Sequence, residues 1–394
     1  MNKIYFDHNA TTPVAPEVLE IVTNVLEDQM GNPSSVHSLG RSARVLIDEA
    51  RERVANLIGA SPSEIVFTSG GTEANNFALL GVALGLGKGH IVTSQVEHPS
   101  ILNPCRQLES LGFDVDLLKV DRLGRIDLDA LEDCLTESTL LLSLQHANSE
   151  TGVMQDIEKI GVIARKKGVL FHTDAVQSVG KIPVQIQDSP IDMLSISAHK
   201  LNGAKGVGAL YLKKGSPDLF PILCGGGQEK KRRGGTENVA GIAGFGKACE
   251  LAQKHLDSQE PSSLSSLRDH FYKLVSNRIS GVEIFGDLEN RLPNTLNLGF
   301  DGVEGDTLMI GLDMAGVAVS TGSACSSGSG LPSPVLTAMG IPIDKINSSI
   351  RFSFGWSNTL AEIEEAVKIL EKTVLLNRVG TSKAADNKKL MKSL

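Results

Sequence analysis

Between residues 64 and 212 short apolar runs alternate with helical stretches, a rhythm that a chain satisfies by forming a layered α/β sheet. Strands are expected at 65–68, 90–94, 114–118, 140–145, 169–173, 192–197 and 208–212, and helices at 73–84, 100–111, 128–135 and 157–167. The alternation predicts a seven-stranded, mostly parallel sheet with helices on both faces. Such sheets bind ligands at the carboxyl ends of their strands, and nearly all the motifs described below fall at those ends.

The sequence of 394 residues is long for one simple core, so a large domain with a smaller partner is expected. Residues 1–15 form an arm rich in turn formers, expected to pack with the small domain. A helix follows from Pro16, and another over 38–58 with apolar positions Val45, Ile47, Val54, Leu57 and Ile58. Its arginines Arg41, Arg44, Arg51 and Arg53 read as a solvated face. A helix over 238–253 precedes a polar break at 257–261, which places the boundary between a large domain, 16–260, and a small one, 261–379. The small domain reads as a helix at 264–277, strands at 282–285 and 294–300, a helix at 306–312, strands at 317–320 and 350–354, and a helix at 360–376. A Ser/Gly-rich loop, 320–334, is expected to be mobile, as is the lysine-rich tail 380–394.

The net charge of -8 argues against a nucleic-acid partner. No apolar run is long enough to span a bilayer and no signal peptide is read, so a cytoplasmic protein is expected. The five cysteines, Cys105, Cys134, Cys224, Cys249 and Cys325, are widely spaced and form no CxxC pair. That disfavours a disulfide framework or a structural zinc site, and a cysteine that matters would act through its thiolate.

Several residues at strand ends carry chemistry. Lys200 follows an apolar strand in Ser195-Ile196-Ser197-Ala198-His199-Lys200, and reads equally as a Schiff-base lysine or a surface lysine in a turn. The turn SGGTEAN, 69–75, opens a helix and by itself reads first as an ordinary helix start capped by Thr72, though its free N–H groups also suit a phosphate. Asp174 ends a hydrophobic strand, where a carboxylate needs a partner. A protonated heterocyclic nitrogen is one and a helix cap another. His98, also after a strand, can stack on a flat ring and move protons. His90, His146, His255 and His270 read as structural.

In order and spacing these motifs resemble the class V, fold-type I pyridoxal-phosphate enzymes, and among them the cysteine desulfurases of the NifS and IscS type. The resemblance is carried by YFDHNATTP (5–13), GNPSSVH (31–37), SGGTEANN (69–76), Glu97-His98, NSETG (148–152), TDAVQ (173–177), SISAHK (195–200), RGGTEN (233–238), SAC (323–325) and RFS (351–353). It runs from about residue 3 to about residue 376. Thr321, Asn202 and Ala204 depart from the family pattern and bear on local loop shape.

The resemblance implies pyridoxal 5'-phosphate as cofactor and assigns roles residue by residue. Lys200 would carry the cofactor and remove the substrate's α-proton, Asp174 would face the ring nitrogen, Gln177 the ring hydroxyl, and His98 would stack on the ring. Gly71, Thr72, Glu73, Ser197 and His199 would form the phosphate side, joined by Thr236 from the second subunit of a homodimer. Asn148 would lie near ring and substrate, and Arg351, helped by Asn9, would bind the carboxylate of L-cysteine. Cys325 would be the nucleophile that takes the sulfur as a persulfide and hands it to an iron–sulfur scaffold protein. No stable metal site is implied, beyond transient ligation of a cluster by Cys325. The stretch 232–239 leans toward the nitrogen-fixation type. A selenocysteine lyase or other β-lyase of the same fold is the alternative enzyme, and a non-catalytic assembly platform the alternative outside enzymes.

Overall fold

The structure, a computed structural model, describes residues 3–258, 263–321 and 331–392. The chain opens with β1 (Ile4–Tyr5), α1 (Pro16–Asp28) and α2 (Ser38–Ile58). The alternating region follows: β2 (Ile65–Thr68), α3 (Gly71–Leu86), β3 (His90–Ser94), α4 (Pro99–Ser110), β4 (Asp114–Leu118), α5 (Leu128–Cys134), β5 (Thr139–Gln145), α6 (Ile157–Lys167), β6 (Leu170–Asp174), β7 (Met193–Ser197) and β8 (Gly208–Leu212). After α7 (Val239–Asp257) come α8 (Ser263–Arg278), β9 (Val282–Ile284), β10 (Thr295–Phe300), α9 (Gly305–Met314), β11 (Val317–Ala318), α10 (Pro334–Ala338), α11 (Ile343–Ile346), β12 (Ser349–Ser353) and α12 (Leu360–Lys392).

Among the described residues the large sheet has seven strands in the order β2-β8-β7-β6-β5-β3-β4, parallel except where β8 pairs with β2 and β7. Each expected strand of this sheet is present to within one residue at either end. The central strands β5, β6 and β7 are buried almost throughout, whereas β4 at the edge exposes Asp114 and Asp116. Charges on an edge strand discourage pairing with another chain.

Adjacent residues of a strand serve opposite faces. Phe67 and Leu142 pack with Ile47, Phe171 and Phe245 on the face covered by α2, α6 and α7. Their neighbours Val66 and Leu141 pack with Phe77, Leu79 and Leu108 under α3 and α4. Each such side chain contributes about 1.5–3 kcal/mol by leaving water, so the carboxyl ends of these strands are rigid platforms.

The smaller sheet, β12-β10-β9, is antiparallel and packs on α8, α9 and α12 around Phe271, Phe300, Phe352 and Phe354. The arm joins this core: β1 pairs in parallel with β11, and Phe6, fully buried, meets Phe354 edge-on at 4.9 Å between ring centroids. The expected boundary at 260–261 lies outside the described residues. The last helix does not stop near residue 376 but runs on to Lys392, into the segment expected to be a mobile tail.

Two expectations for α2 are corrected. Val45 is 53% exposed, so the apolar stripe runs through Ile47, Val54, Leu57 and Ile58 without it. Arg51 is not on a solvated face. Its guanidinium forms a fork with Glu229 at 2.6 and 2.8 Å, donates to the Ile65 carbonyl at 2.7 Å and lies over the Phe67 ring. Arg44 is likewise paired, with Glu237 at 2.8 Å. Glu229 also accepts the Phe67 N–H at 3.0 Å, so one carboxylate ties the 225–235 loop to both α2 and β2.

Removing one member of a buried pair leaves the other charge uncompensated. Glu229→Ala is therefore expected to cost about 3–5 kcal/mol in urea denaturation, and Glu229→Gln distinctly less because it still accepts hydrogen bonds. Equal midpoints for wild type and Glu229→Ala would show that the pair does not anchor this loop.

Candidate active site

Strand register assembles the site. Gln145 of β5 lies beside Asp174 of β6, and Asp174 beside Ser195 of β7, so three adjacent strands deliver their carboxyl ends at one level. The turn after β7 carries His199 and Lys200, the loop after β3 carries His98, and the turn after β2 leads into α3. Together they surround a cavity of about 250 Å³ lined by Ala10, Gly71, Thr72, Asn75, His98, Ser100, Gln145, Ala147, Ser149, Asp174, Val176, Gln177, Ser197, His199 and Lys200.

Asp174 is the fixed point of one wall. Its carboxylate accepts from Asn75 Nδ2 at 2.7 Å and from the Val176 N–H at 3.0 Å. The same Asn75 amide donates to Ser100 Oγ at 2.8 Å, and Ser100 reaches His98 Nδ1 through both its hydroxyl, 2.7 Å, and its N–H, 3.1 Å. With Nδ1 accepting, a neutral His98 carries its proton on Nε2. Burial, together with Lys200, holds the imidazole below its ordinary value of 6.5 despite the opposing pull of Asp174. His98 is thus a neutral imidazole at pH 7, whose one proton-accepting nitrogen is the Nδ1 held by Ser100.

The start of α3 forms another wall of the cavity. The first N–H groups of α3 have no partner within the helix, and Thr72, Ser197 and His199 stand around them. Glycine is required here by space: a Cβ on Gly71 would sit 2.7 Å from Val176, and one on Gly208 2.7 Å from the Gly70 backbone. Lys200 closes the cavity beside the arm, its Nζ donating to the carbonyls of Asn9 at 2.5 Å and Ala10 at 2.8 Å. Gln177 Nε2 shares the Asn9 carbonyl at 3.1 Å.

Of the expected site residues, Gly71, Thr72, His98, Asp174, Gln177, Ser197, His199 and Lys200 line this cavity, whereas Glu73, Asn148, Asn9, Arg351 and Thr236 do not. Glu73 instead ties the turn to the 233–238 motif, accepting from Ser69 N–H at 2.7 Å and Arg233 at 2.8 Å. The Asn148 side chain is consumed by its own turn: Oδ1 accepts from the Glu150 and Thr151 N–H groups, and Nδ2 donates to Val96. Its neighbours Ala147 and Ser149 face the cavity in its place. Arg351 lies behind Ser149, donating to that carbonyl at 3.2 Å and to Asp7 at 2.7 Å. Thr236 is exposed on its loop. Cys325 and most of the 320–334 loop lie outside the described residues.

Residues without an assigned role in the sequence reading prove central. Asn75 holds Asp174 and Ser100 links it to His98. Asn75 is a polar side chain three positions after Thr72 on a mostly apolar helix, and that contrast is the signal that points to it. Glu97, wholly buried beside His98, accepts from Ser94 Oγ at 2.6 Å and from the Gln145 N–H at 3.0 Å. Burial pushes its carboxyl up to about 8.

The fold and the cavity define the fold-type I α/β class of enzymes, in which a lysine, an acid and an anion-binding helix start meet at the strand ends of a large sheet. The Aminotransferase class-V family matches residues 4–366, and the chain belongs to that family. The cysteine desulfurase IscS of Dictyoglomus turgidum is 49% identical over 94% of this chain and 94% of its own length. A solved NifS-like protein, 38% identical, covers 95% of this chain and 100% of its own with a TM-score of 0.89. SspA, solved in complex with cysteine, is 39% identical over 89% of this chain and 98% of its own, with a TM-score of 0.80.

The buried acid beside His98 gives a pH test. From the unfolded value of 4.5 up to about 8 the folded chain keeps a proton that the unfolded chain has released. Glu97 therefore makes stability fall as pH rises through that window, by up to about 1.4 kcal/mol per pH unit. Glu97→Gln, which cannot ionise, is expected to flatten this fall in denaturation curves taken from pH 5 to 8. An unchanged slope would show that Glu97 is ionised in the folded protein.

Proposed function

We propose that this chain is a pyridoxal-phosphate-dependent cysteine desulfurase that converts L-cysteine to L-alanine and leaves the sulfur as a persulfide on Cys325. The observation that carries the reading is the meeting of Lys200, Asp174 and neutral His98 around one cavity, in a chain 49% identical to a cysteine desulfurase.

The cavity suits the cofactor in its donor set. A buried carboxylate, Asp174, fits a ring nitrogen, the start of α3 with Thr72, Ser197 and His199 fits a phosphate, Gln177 offers an N–H for a ring hydroxyl, and Lys200 supplies the anchoring amine. The cradle at Gly71 has no room for a side chain. When bound, pyridoxal phosphate supplies an electron sink for charge developing at the substrate's α-carbon.

The chain's own groups do the rest. Lys200, which would hold the cofactor through its amine, would take the α-proton of the bound substrate. Neutral His98 takes the thiol proton of the substrate at Nδ1, the ring nitrogen that carries none, giving up the hydrogen bonds it accepts there from Ser100. Cys325 attacks as a thiolate: an S–S bond forms while the substrate's C–S bond breaks, and the electron pair stays on carbon, which is protonated to give alanine. Arg351 binds the substrate carboxylate. Its Nε is buried and without a partner among the described residues, while its other nitrogens are held by Asp7 and Ser149. The persulfide passes to an iron–sulfur scaffold protein, nitrogenase cluster assembly being one such route. In a cytoplasmic homodimer Thr236, exposed in the single chain, completes the phosphate side of the partner's site.

Incubation of the holoenzyme with L-cysteine, followed by mass spectrometry, is expected to find one added sulfur on the peptide containing Cys325. Cys325→Ala should keep the cofactor's visible absorbance and lose sulfide release by more than about a hundredfold; undiminished desulfuration would assign the nucleophile elsewhere. Lys200→Ala should leave no borohydride-reducible lysine adduct, and an adduct on another lysine would displace Lys200 from its role.

A further inference from the structure

Lys181 is a buried amine behind the cavity wall. It lies four residues after Gln177, is 8% exposed, and forms no ion pair among the described residues. Nζ donates to Gln177 Oε1 at 2.9 Å and to Asn9 Oδ1 at 3.3 Å. Both contacts have a defined sense. Asn9 Nδ2 donates to the Ser149 carbonyl and to Thr295 Oγ1, so its oxygen must face Lys181. Gln177 Nε2 donates to the Asn9 carbonyl, so its oxygen also faces Lys181.

A carboxamide presents either an oxygen or an N–H group to a neighbour, and the choice is set by what its other end meets. A donor at the Lys181 position fixes the Gln177 oxygen on itself and turns the N–H edge to the Asn9 carbonyl, beside Lys200. It also holds Asn9, whose main-chain carbonyl bears Lys200. We propose that Lys181 is a positioning residue for the reaction: it sets the amide orientation of Gln177 and the seat of Lys200 without touching substrate or cofactor. The inference rests on the reading above that Gln177 faces the ring hydroxyl of pyridoxal phosphate.

The electrostatic surroundings agree. The titratable groups that face Lys181 are all basic: Lys200 after β7, Arg351 on β12, and His8 and His199 from the arm and the lysine turn. Burial first, then Lys200 and Arg351, hold its amine well below the ordinary lysine value. The amine donates both hydrogen bonds in either protonation state, so the positioning does not depend on its charge.

The test is a spectrophotometric pH titration of the cofactor's visible band in the holoenzyme, with kinetics in parallel. Lys181→Met removes the donor and keeps the bulk. It is expected to move the titration midpoint by about one pH unit and to lower kcat about tenfold with KM within about threefold, at unchanged or higher melting temperature. In a Gln177→Ala background the same substitution should add no further spectral shift, as coupling through Gln177 requires. Should Lys181→Met not fold, Lys181→Gln, which keeps a donor, is expected to move the midpoint by less than half as much as Gln177→Ala does. A wild-type midpoint in Lys181→Met, an equal Lys181→Met shift with and without Gln177, or a shift in Lys181→Gln as large as that of Gln177→Ala, overturns the inference and leaves the proposed function standing. Absence of any visible band in wild-type protein incubated with pyridoxal phosphate overturns both.

Discussion

The Asn9 side chain is 2% exposed and meets four partners from separate parts of the chain: the Ser149 carbonyl, Thr295, Asn294 and Lys181. Its main-chain carbonyl takes two more bonds, from Lys200 and Gln177. A buried amide is costly unless all of its donors and acceptors are matched. The small sheet, the turn after β5, the turn after β6 and the lysine turn can therefore adopt only one mutual arrangement. The arm that carries Asn9 is itself fastened at Phe6, in the small core, and through Asp7 to Arg351.

Around that joint the protein limits buried charge. Burial holds His8 and His199 down to about 4 and raises Glu97 to about 8 and Glu150 to about 7. His172, wholly buried between Ser143 and Ser195, is pushed down to about 3 and bridges β5, β6 and β7 as a neutral ring. Neutral groups in a dry interior give orientation through hydrogen bonds without the desolvation cost of ions. Asp174 stands at the cavity wall, its side chain held by an amide and a backbone N–H, with no basic side chain paired to it among the described residues.

This arrangement separates two titratable side chains at the cavity, Lys200 and His98, from the residues that brace them. Lys200 and His98 reach the cavity from turns, where a few backbone angles decide their position. Each turn is braced by a side chain from another element: His98 by Ser100 and, through it, by Asn75 of α3, and Lys200 by the arm. Sites placed on strand ends and braced in this way keep geometry that a free loop would not.

The large sheet was legible because continuous apolar runs with helical stretches between them admit one layered solution, and the cavity residues Asp174, Lys200, His98 and Thr72 because their order follows the strand ends. Pairings between distant residues were not legible. Arg51 reads as one arginine among four on a helix, since the partner that buries it, Glu229, is 178 positions away. Asp7 and Arg351 are 344 positions apart. Lys181 sits in a turn where a lysine is ordinarily solvated, and it becomes a buried donor because the arm closes over it. Local pattern determined which elements form and which residue types stand at their ends. Which polar groups lose their water, and therefore which partners they must find, was decided by the long-range packing of arm, large sheet and small sheet, because desolvation depends on everything that covers a group and not on its neighbours in sequence.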